Sequence, residues 1–121
     1  MENLFNYIGD NILVIPFITG IVFLITSIIT LLFPPKNINF FYGYRTKNSM
    51  KTQERWDFAQ RYSSNKMFWS GLILIVFSFS NLIFGLDIKF QLIISALVIV
   101  LPCVYLFYST EKALKNNFTN E

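Results

Sequence analysis

Three long stretches without a charged side chain constrain this sequence more than any other feature. Residues 12–33 form a run of 22 without Asp, Glu, Lys or Arg, and 16 of them are Leu, Ile, Val or Phe. As a helix with a rise of 1.5 Å per residue, this run extends about 33 Å and crosses a hydrocarbon core of about 30 Å. Residues 67–86 and 90–108 have the same character. The sequence therefore predicts three transmembrane helices.

The ends of these spans are marked by proline and by charge. Pro34 and Pro35 end the first span, because neither residue donates a backbone hydrogen bond and Pro34 disfavours helical geometry at Phe33. Residues 87–89 leave room only for a tight turn between the second and third spans, so we expect these two helices to be antiparallel neighbours. Pro102 is expected to kink the third span.

A polar, basic and aromatic loop, residues 34–66, connects the first two spans. Its second half, residues 52–65, has a helical pattern, with Thr52 as N-cap and with Trp56, Ala59 and Ser63 on one face. A basic amphipathic helix beside a span is typical of the membrane interface. The predicted fold is an all-α membrane protein of one domain, residues 1–121. It has three transmembrane helices and a cytoplasmic interfacial amphipathic helix between the first and second.

The basic residues predict the orientation of the spans. The loop and the C-terminal tail would lie on one side of a three-span protein and hold nine lysines and arginines, whereas the opposite side holds Lys89 alone. The nine are Lys36, Arg45, Lys47, Lys51, Arg55, Arg61, Lys66, Lys112 and Lys115. By the positive-inside rule, the N-terminus is expected outside, with the loop and the C-terminus in the cytoplasm.

Several kinds of chemistry are excluded or disfavoured by the composition. One cysteine and no histidine leave no intrachain disulfide, no Cys/His metal site and no histidine acid–base catalysis. The spans hold no Asp, Glu, Lys or Arg, which disfavours a proton-coupled exporter. No nucleophile–base pair or paired carboxylates stand out. We therefore predict no enzyme activity, no cofactor, no metal and no direct nucleic-acid partner.

Small and hydroxyl residues recur at helical spacing in two spans and favour helix packing over a ligand or ion path. They are Thr19, Thr26 and Thr30 in the first span and Gly71, Ser78, Asn81 and Gly85 in the second.

The loop contains a distinctive turn. Gly43 permits a positive φ and hence a sharp reversal between two tyrosines, which would fix the position of Arg45. The guanidinium is a rigid fork of donors that suits a lipid phosphate, a carboxylate or the carbonyls at a helix end. The residues alone do not separate these partners from a simple role in loop charge.

The loop also carries a long motif, Asn-x-x-Tyr-Gly-Tyr-Arg-Thr, then a spacer, then Trp followed by Ala-Gln-Arg. The residues that match it are Asn39, Gly43, Tyr44, Arg45, Thr46, Trp56, Ala59, Gln60 and Arg61. This motif resembles the signature of the SdpI-like family of bacterial membrane proteins, named for immunity to a secreted sporulation-delaying toxin. Gln60 stands where many members carry Asn.

The resemblance implies an immunity or resistance protein of the bacterial cell membrane. Such a protein protects against a membrane-active toxin or relays its presence, through binding and not catalysis. The implied partners are membrane lipids and a toxin peptide or a cytoplasmic repressor, and a homo-oligomer is compatible with this role. The alternative is a small oligomeric transporter or permeation unit. The expected binding residues are Asn39, Tyr42, Gly43, Tyr44, Arg45, Thr46, Trp56, Gln60 and Arg61.

Overall fold

A computed structural model of the chain describes residues 2–118, with Glu2 as backbone alone. Over these residues the chain is helical and contains no strand. The helices are α1 (Glu2–Asn11), α2 (Val14–Leu32), α3 (Gln53–Ser78), α4 (Asn81–Phe84) and α5 (Ile88–Asn117). Three segments are long and apolar enough to cross a membrane: α2, the stretch from α3 through α4, and α5. They correspond to the three predicted spans.

The second span differs from its predicted form. The sequence predicts an interfacial helix over residues 52–65, separate from a span over residues 67–86. The structure instead has one continuous helix, α3, that begins in the polar loop and enters the apolar stretch without a break. No glycine or proline occurs between residues 53 and 70, so nothing interrupts the backbone hydrogen bonds there. A separate interfacial helix is therefore not confirmed, although Thr52 caps α3 as predicted, accepting from the Arg55 N–H at 3.1 Å.

Helices α2 and α3 cross at two glycines. A Cβ on Gly20 would lie 2.8 Å from the Gly71 carbonyl oxygen, and a Cβ on Gly71 would lie 2.8 Å from the Gly20 carbonyl oxygen. The two backbones therefore touch where neither residue has a side chain, as in other membrane helix pairs with small residues at the interface. Nearer the loop, the hydroxyls of Thr30 and Ser64 share a hydrogen bond of 2.6 Å across the same interface.

The packed stripe of α2 is not the predicted one. Thr26 is exposed and Thr19 is only half-buried, whereas Thr30 is buried as expected. The buried residues of this helix are Pro16, Gly20, Ser27 and Thr30. The face of α2 that contacts α3 is determined by the closest approach of the two backbones at Gly20. The spacing of the threonines does not predict that approach.

The end of the molecule away from the loop is held by backbone acceptors. The Tyr7 hydroxyl of α1 donates to the Leu82 carbonyl at 2.6 Å, and the Leu13 N–H donates to the Ser78 carbonyl at 2.9 Å. The buried Asn81 side chain accepts from the Leu86 N–H at 2.8 Å. Helix α3 ends at Ser78, before the end of the predicted span 67–86. These bonds satisfy backbone groups in the segment around that end.

Helix α5 is longer than the predicted span 90–108 at both ends and includes most of the tail. It packs against α3, as expected for helices joined by a short turn. Its outer face is apolar, and Leu101 and Val104 are each at least 60% exposed. Such a continuous apolar surface is typical of contact with lipid or with another helix.

Candidate functional site

Two side chains of α3 hold the signature loop, here defined as residues 34–52. The Trp56 indole is fully buried and donates from Nε1 to the Pro35 carbonyl at 2.7 Å. One turn further along the helix, the buried Gln60 amide accepts from the Tyr44 N–H and donates to the Tyr44 carbonyl, both at 2.7 Å. Residues four apart lie on one helix face. That face of α3 is therefore the surface on which the loop folds.

Gly43 is required by both conformation and space. Its φ is +102°, a region that residues with a Cβ rarely adopt. A Cβ at this position would overlap the Gln60 side-chain oxygen and would lie 2.7 Å from Cγ of Pro35. The predicted sharp turn is present, and it brings the Tyr44 backbone against Gln60.

Two further motif residues, Asn39 and Tyr42, organise the backbone that follows α2. The Asn39 side-chain oxygen accepts from the N–H groups of Phe41 and Tyr42 at 2.9 and 2.7 Å, a local turn typical of asparagine. The Tyr42 hydroxyl then donates to the Phe33 carbonyl at 2.6 Å. Carbonyls at a helix end lack partners within the helix, so this bond satisfies one of them.

The segment after Tyr44 is closed by reciprocal bonds between two hydroxyl residues. The Thr46 N–H donates to Oγ of Ser49 at 2.8 Å, and the Ser49 N–H donates to Oγ1 of Thr46 at 3.1 Å. Ser49 is fully buried. These bonds make a compact turn that places neighbouring side chains on one side.

Glu111 of α5 binds this turn and thereby connects the signature loop to the helix of the third span. One of its carboxylate oxygens accepts from the hydroxyls of Tyr44 and Thr46 at 2.7 and 2.9 Å, and the other accepts from the Asn48 amide at 2.9 Å. Burial raises the pKa of the Tyr44 hydroxyl well above its usual value, and its hydrogen bond to Glu111 and the charge of that carboxylate raise it further. The carboxylate is thus bound by three neutral donors from the loop.

The arginines of the loop and of α3 have different environments. Arg55 is buried, donates from Nη2 to the Phe118 carbonyl at 2.7 Å and lies 5.5 Å from the centre of the Phe118 ring. Arg45 and Arg61 are exposed. Over residues 2–118 their guanidinium groups make no hydrogen bond or ion pair. A contact of Arg45 with helix-end carbonyls, one of the expected options, is therefore not found within that range.

A polar cavity of about 310 Å³ lies beside the loop, between the end of α2 and the start of α3. Its polar lining comes from Thr30, Lys36, Gln53, Asp57, Gln60 and Arg61. Asp57 accepts from the Gln53 amide at 2.8 Å, and in the part of the chain that the structure describes it forms no ion pair with Arg61, which lies one helical turn further along α3. Arg61 therefore remains available to a polar or anionic group that enters this cavity.

No group of three or more metal-ligating side chains occurs within residues 2–118.

Comparison with known proteins identifies the family. Residues 36–109 match the SdpI/YfhL protein family. The chain belongs to that family. It is also 40% identical over 96 residues to the uncharacterized protein YfhL of Bacillus subtilis (strain 168), an alignment that covers 79% of this chain and 82% of YfhL. No solved structure matches the chain.

The structure separates the SdpI/YfhL signature residues into two groups. Seven of them form the loop or hold it in place: Asn39, Tyr42, Gly43, Tyr44, Thr46, Trp56 and Gln60. Ala59 is fully buried on the same face of α3. The remaining two, Arg45 and Arg61, are exposed. A binding role for any of these residues stays a prediction.

Glu111 and Arg55 were not singled out by sequence reasoning. Glu111 lies just beyond the residues that match the SdpI/YfhL family, and Arg55 was counted only among the basic loop residues. The available signal for Glu111 is weak: it is one of two acidic residues in a tail that also has two lysines, and it lies one helical turn after the predicted third span. Its partners are 63 to 67 residues away along the chain.

Proposed function

We propose that this chain is an immunity-type protein of the bacterial cell membrane that protects against a membrane-active toxin through binding. Membership of the SdpI/YfhL family suggests this class of protein. The observation that carries the proposal is the contrast within the signature loop. Gln60 and Trp56 bond its backbone and Glu111 accepts from its side chains. The two signature arginines, Arg45 and Arg61, are exposed.

This contrast is what a preformed binding surface requires. A loop that is already ordered loses less conformational entropy when a partner binds, so more of the contact energy contributes to affinity. An exposed guanidinium on such a loop offers two parallel donors to a carboxylate. The expected partner group is a carboxylate of a toxin peptide, or of a cytoplasmic protein that reports the toxin.

The predicted spans contain no Asp, Glu, Lys or Arg, which supports binding over proton-coupled transport. Purified protein in sealed vesicles should not release trapped ions or small solutes. Steady flux that depends on the protein would favour the permeation alternative.

The test of the proposed function is the substitution Arg45→Lys. Lysine keeps the charge but not the fork, so the loss of a charge-assisted contact of about 1.5–3 kcal/mol should weaken partner binding about ten- to hundredfold. Survival of the host under a panel of membrane-active peptides, with the chain deleted or overexpressed, measures this effect. Because Arg45 is exposed, the melting temperature should stay close to that of the unmodified protein.

The matched control is Lys47→Arg, an exposed basic residue two positions away that is outside the signature. It should leave both protection and melting temperature unchanged. If the two variants protect equally, Arg45 is not part of the binding surface and contributes only to the positive charge of the loop.

The proposed orientation places the signature loop in the cytoplasm, on the strength of nine basic residues against one. In a Cys103→Ser background, single cysteines at the exposed positions Asn3, Lys47 and Asn116 should react with an impermeant thiol reagent from outside only at Asn3. Labelling of intact cells and of permeabilised cells provides the comparison. External labelling at Lys47 would reverse the orientation and would place the loop where a secreted toxin arrives.

A further inference from the structure

A second surface, independent of the signature loop, lies between α3 and α5. A groove of about 510 Å³ runs between these helices, and its lining is almost entirely apolar. Trp69 and Ile73 of α3 and Leu101 and Tyr105 of α5 line it and are each more than half exposed. The groove is therefore open to the surroundings of the helices, which in a membrane are lipid.

The length of the groove corresponds to one leaflet. Its lining on α3 extends from Lys66 to Phe77, a distance of about 16 Å at 1.5 Å per residue. Half of a hydrocarbon core of about 30 Å is about 15 Å. The groove thus begins at the loop-side boundary of the membrane and ends near its midplane. On α5, Pro102 lines it and removes the backbone hydrogen bond that would otherwise reach Val98, another lining residue.

The boundary end of the groove is basic and aromatic. The Lys66 ammonium lies 5.3 Å from the centre of the Tyr62 ring and 6.0 Å from that of Tyr105. Over residues 2–118 no carboxylate pairs with Lys66. A cavity of about 390 Å³ that also includes Tyr62 and Tyr105 continues to Lys112, whose ammonium lies 5.9 Å from the Tyr108 ring centre. Two uncompensated lysines therefore flank the headgroup level.

We propose that this groove binds one acyl chain of an anionic phospholipid, with the phosphate between Lys66 and Lys112. The open apolar lining and the basic end select this occupant. A second copy of this chain would bring the same basic rim against Lys66 and Lys112. A flexible chain with an anionic head matches both the narrow apolar channel and its basic end.

The test uses the fluorescence of Trp69, which lines the groove, while Trp56 is fully buried against the signature loop. The protein is placed in phosphatidylcholine vesicles that contain a minor fraction of acyl-brominated phosphatidylglycerol or, separately, of acyl-brominated phosphatidylcholine. Bromine quenches an indole on contact. Brominated phosphatidylglycerol should quench Trp69 at a lower mole fraction than brominated phosphatidylcholine does, and Trp69→Phe should abolish the quenching.

The lysine variants distinguish a specific phosphate site at Lys66 and Lys112 from a general attraction of anionic lipid to basic surface residues. Each of Lys66→Gln and Lys112→Gln should lower the preference for phosphatidylglycerol about fivefold. Lys36→Gln and Lys47→Gln remove the same charge on the same side of the protein, away from the groove, and should leave the preference unchanged.

Equal quenching by the two brominated lipids would overturn the proposal, as would an equal effect of all four lysine variants. Loss of quenching as the protein-to-lipid ratio rises would show that a second copy covers the groove, which also overturns it. None of these outcomes depends on whether the chain protects against a toxin, so this inference and the proposed function fail separately.

Discussion

Gly71→Val is expected to lower the melting temperature of the detergent-solubilised protein more than any other single change in the spans. A Cβ at Gly71 meets the Gly20 carbonyl oxygen at 2.8 Å and the Leu24 backbone nitrogen at 3.0 Å, and backbone atoms cannot move aside as a flexible side chain would. Overpacking of a close contact typically costs about 1–3 kcal/mol, and here the whole interface between α2 and α3 must separate. We expect a loss at or above the upper end of that range. Thermal unfolding followed by circular dichroism measures it.

Gly9→Ala is the matched control for this prediction. Gly9 is also a helical glycine, but no atom beyond its own stretch of helix lies within 4 Å of the position that its Cβ would occupy. Alanine is favoured over glycine in a helix by about 1 kcal/mol, so this variant should melt at or slightly above the temperature of the unmodified protein. If Gly71→Val melted like Gly9→Ala, the two helices would not cross at their glycines.

Glu111→Leu is expected to release the signature loop from α5. Leucine removes the acceptor of three hydrogen bonds, from Tyr44, Thr46 and Asn48. Bonds to a charged group contribute about 1.5–3 kcal/mol each, but they are not additive and this carboxylate is partly exposed, so we expect a net loss of about 3 kcal/mol. The loop should become accessible to trypsin at Lys47, which lies between two of the released donors. The rate of cleavage there is the measurement.

Two variants calibrate the result. Glu111→Gln keeps the shape and one oxygen acceptor, and the hydroxyls of Tyr44 and Thr46 can turn to accept from its amide, so cleavage should increase only modestly. Glu54→Gln removes an exposed carboxylate near the start of α3 and should leave the loop protected. Cleavage of Glu111→Leu at the rate of the unmodified protein would mean that Gln60 and Trp56 hold the loop without α5.

The link through Glu111 also bears on the relay form of the proposed function. A partner that engages Arg45 binds next to Tyr44 and Thr46, the two residues that reach α5. A displacement of the loop would therefore be transmitted to α5, the helix of the third span, through direct hydrogen bonds. Glu111→Leu should weaken protection together with loop order, whereas Arg45→Lys should weaken protection alone.

The spans, the start of α3 and the sharp turn at Gly43 followed from local information. An uncharged apolar run must leave water whatever surrounds it, a threonine before a polar helical segment caps that helix, and a glycine between tyrosines permits a positive φ. Each of these depends on residues close together in the sequence. The resemblance carried by the loop motif added the family, which the match over residues 36–109 shows.

The tertiary structure determined which residues hold the signature loop and the helices together. Glu111 receives donors more than 60 positions away, Gly20 matters only because Gly71 lies opposite it, and Arg55 is buried because Phe118 folds over it. The sequence marks Arg55 only as one of the basic loop residues, since a positive residue satisfies the positive-inside bias wherever it points. Local chemistry therefore determined the three apolar spans, the start of α3 and the turn at Gly43. The burial and bonding of each polar side chain were determined by which helix lies against it, because a hydrogen bond requires partners within about 3 Å, a condition that only the packed chain sets.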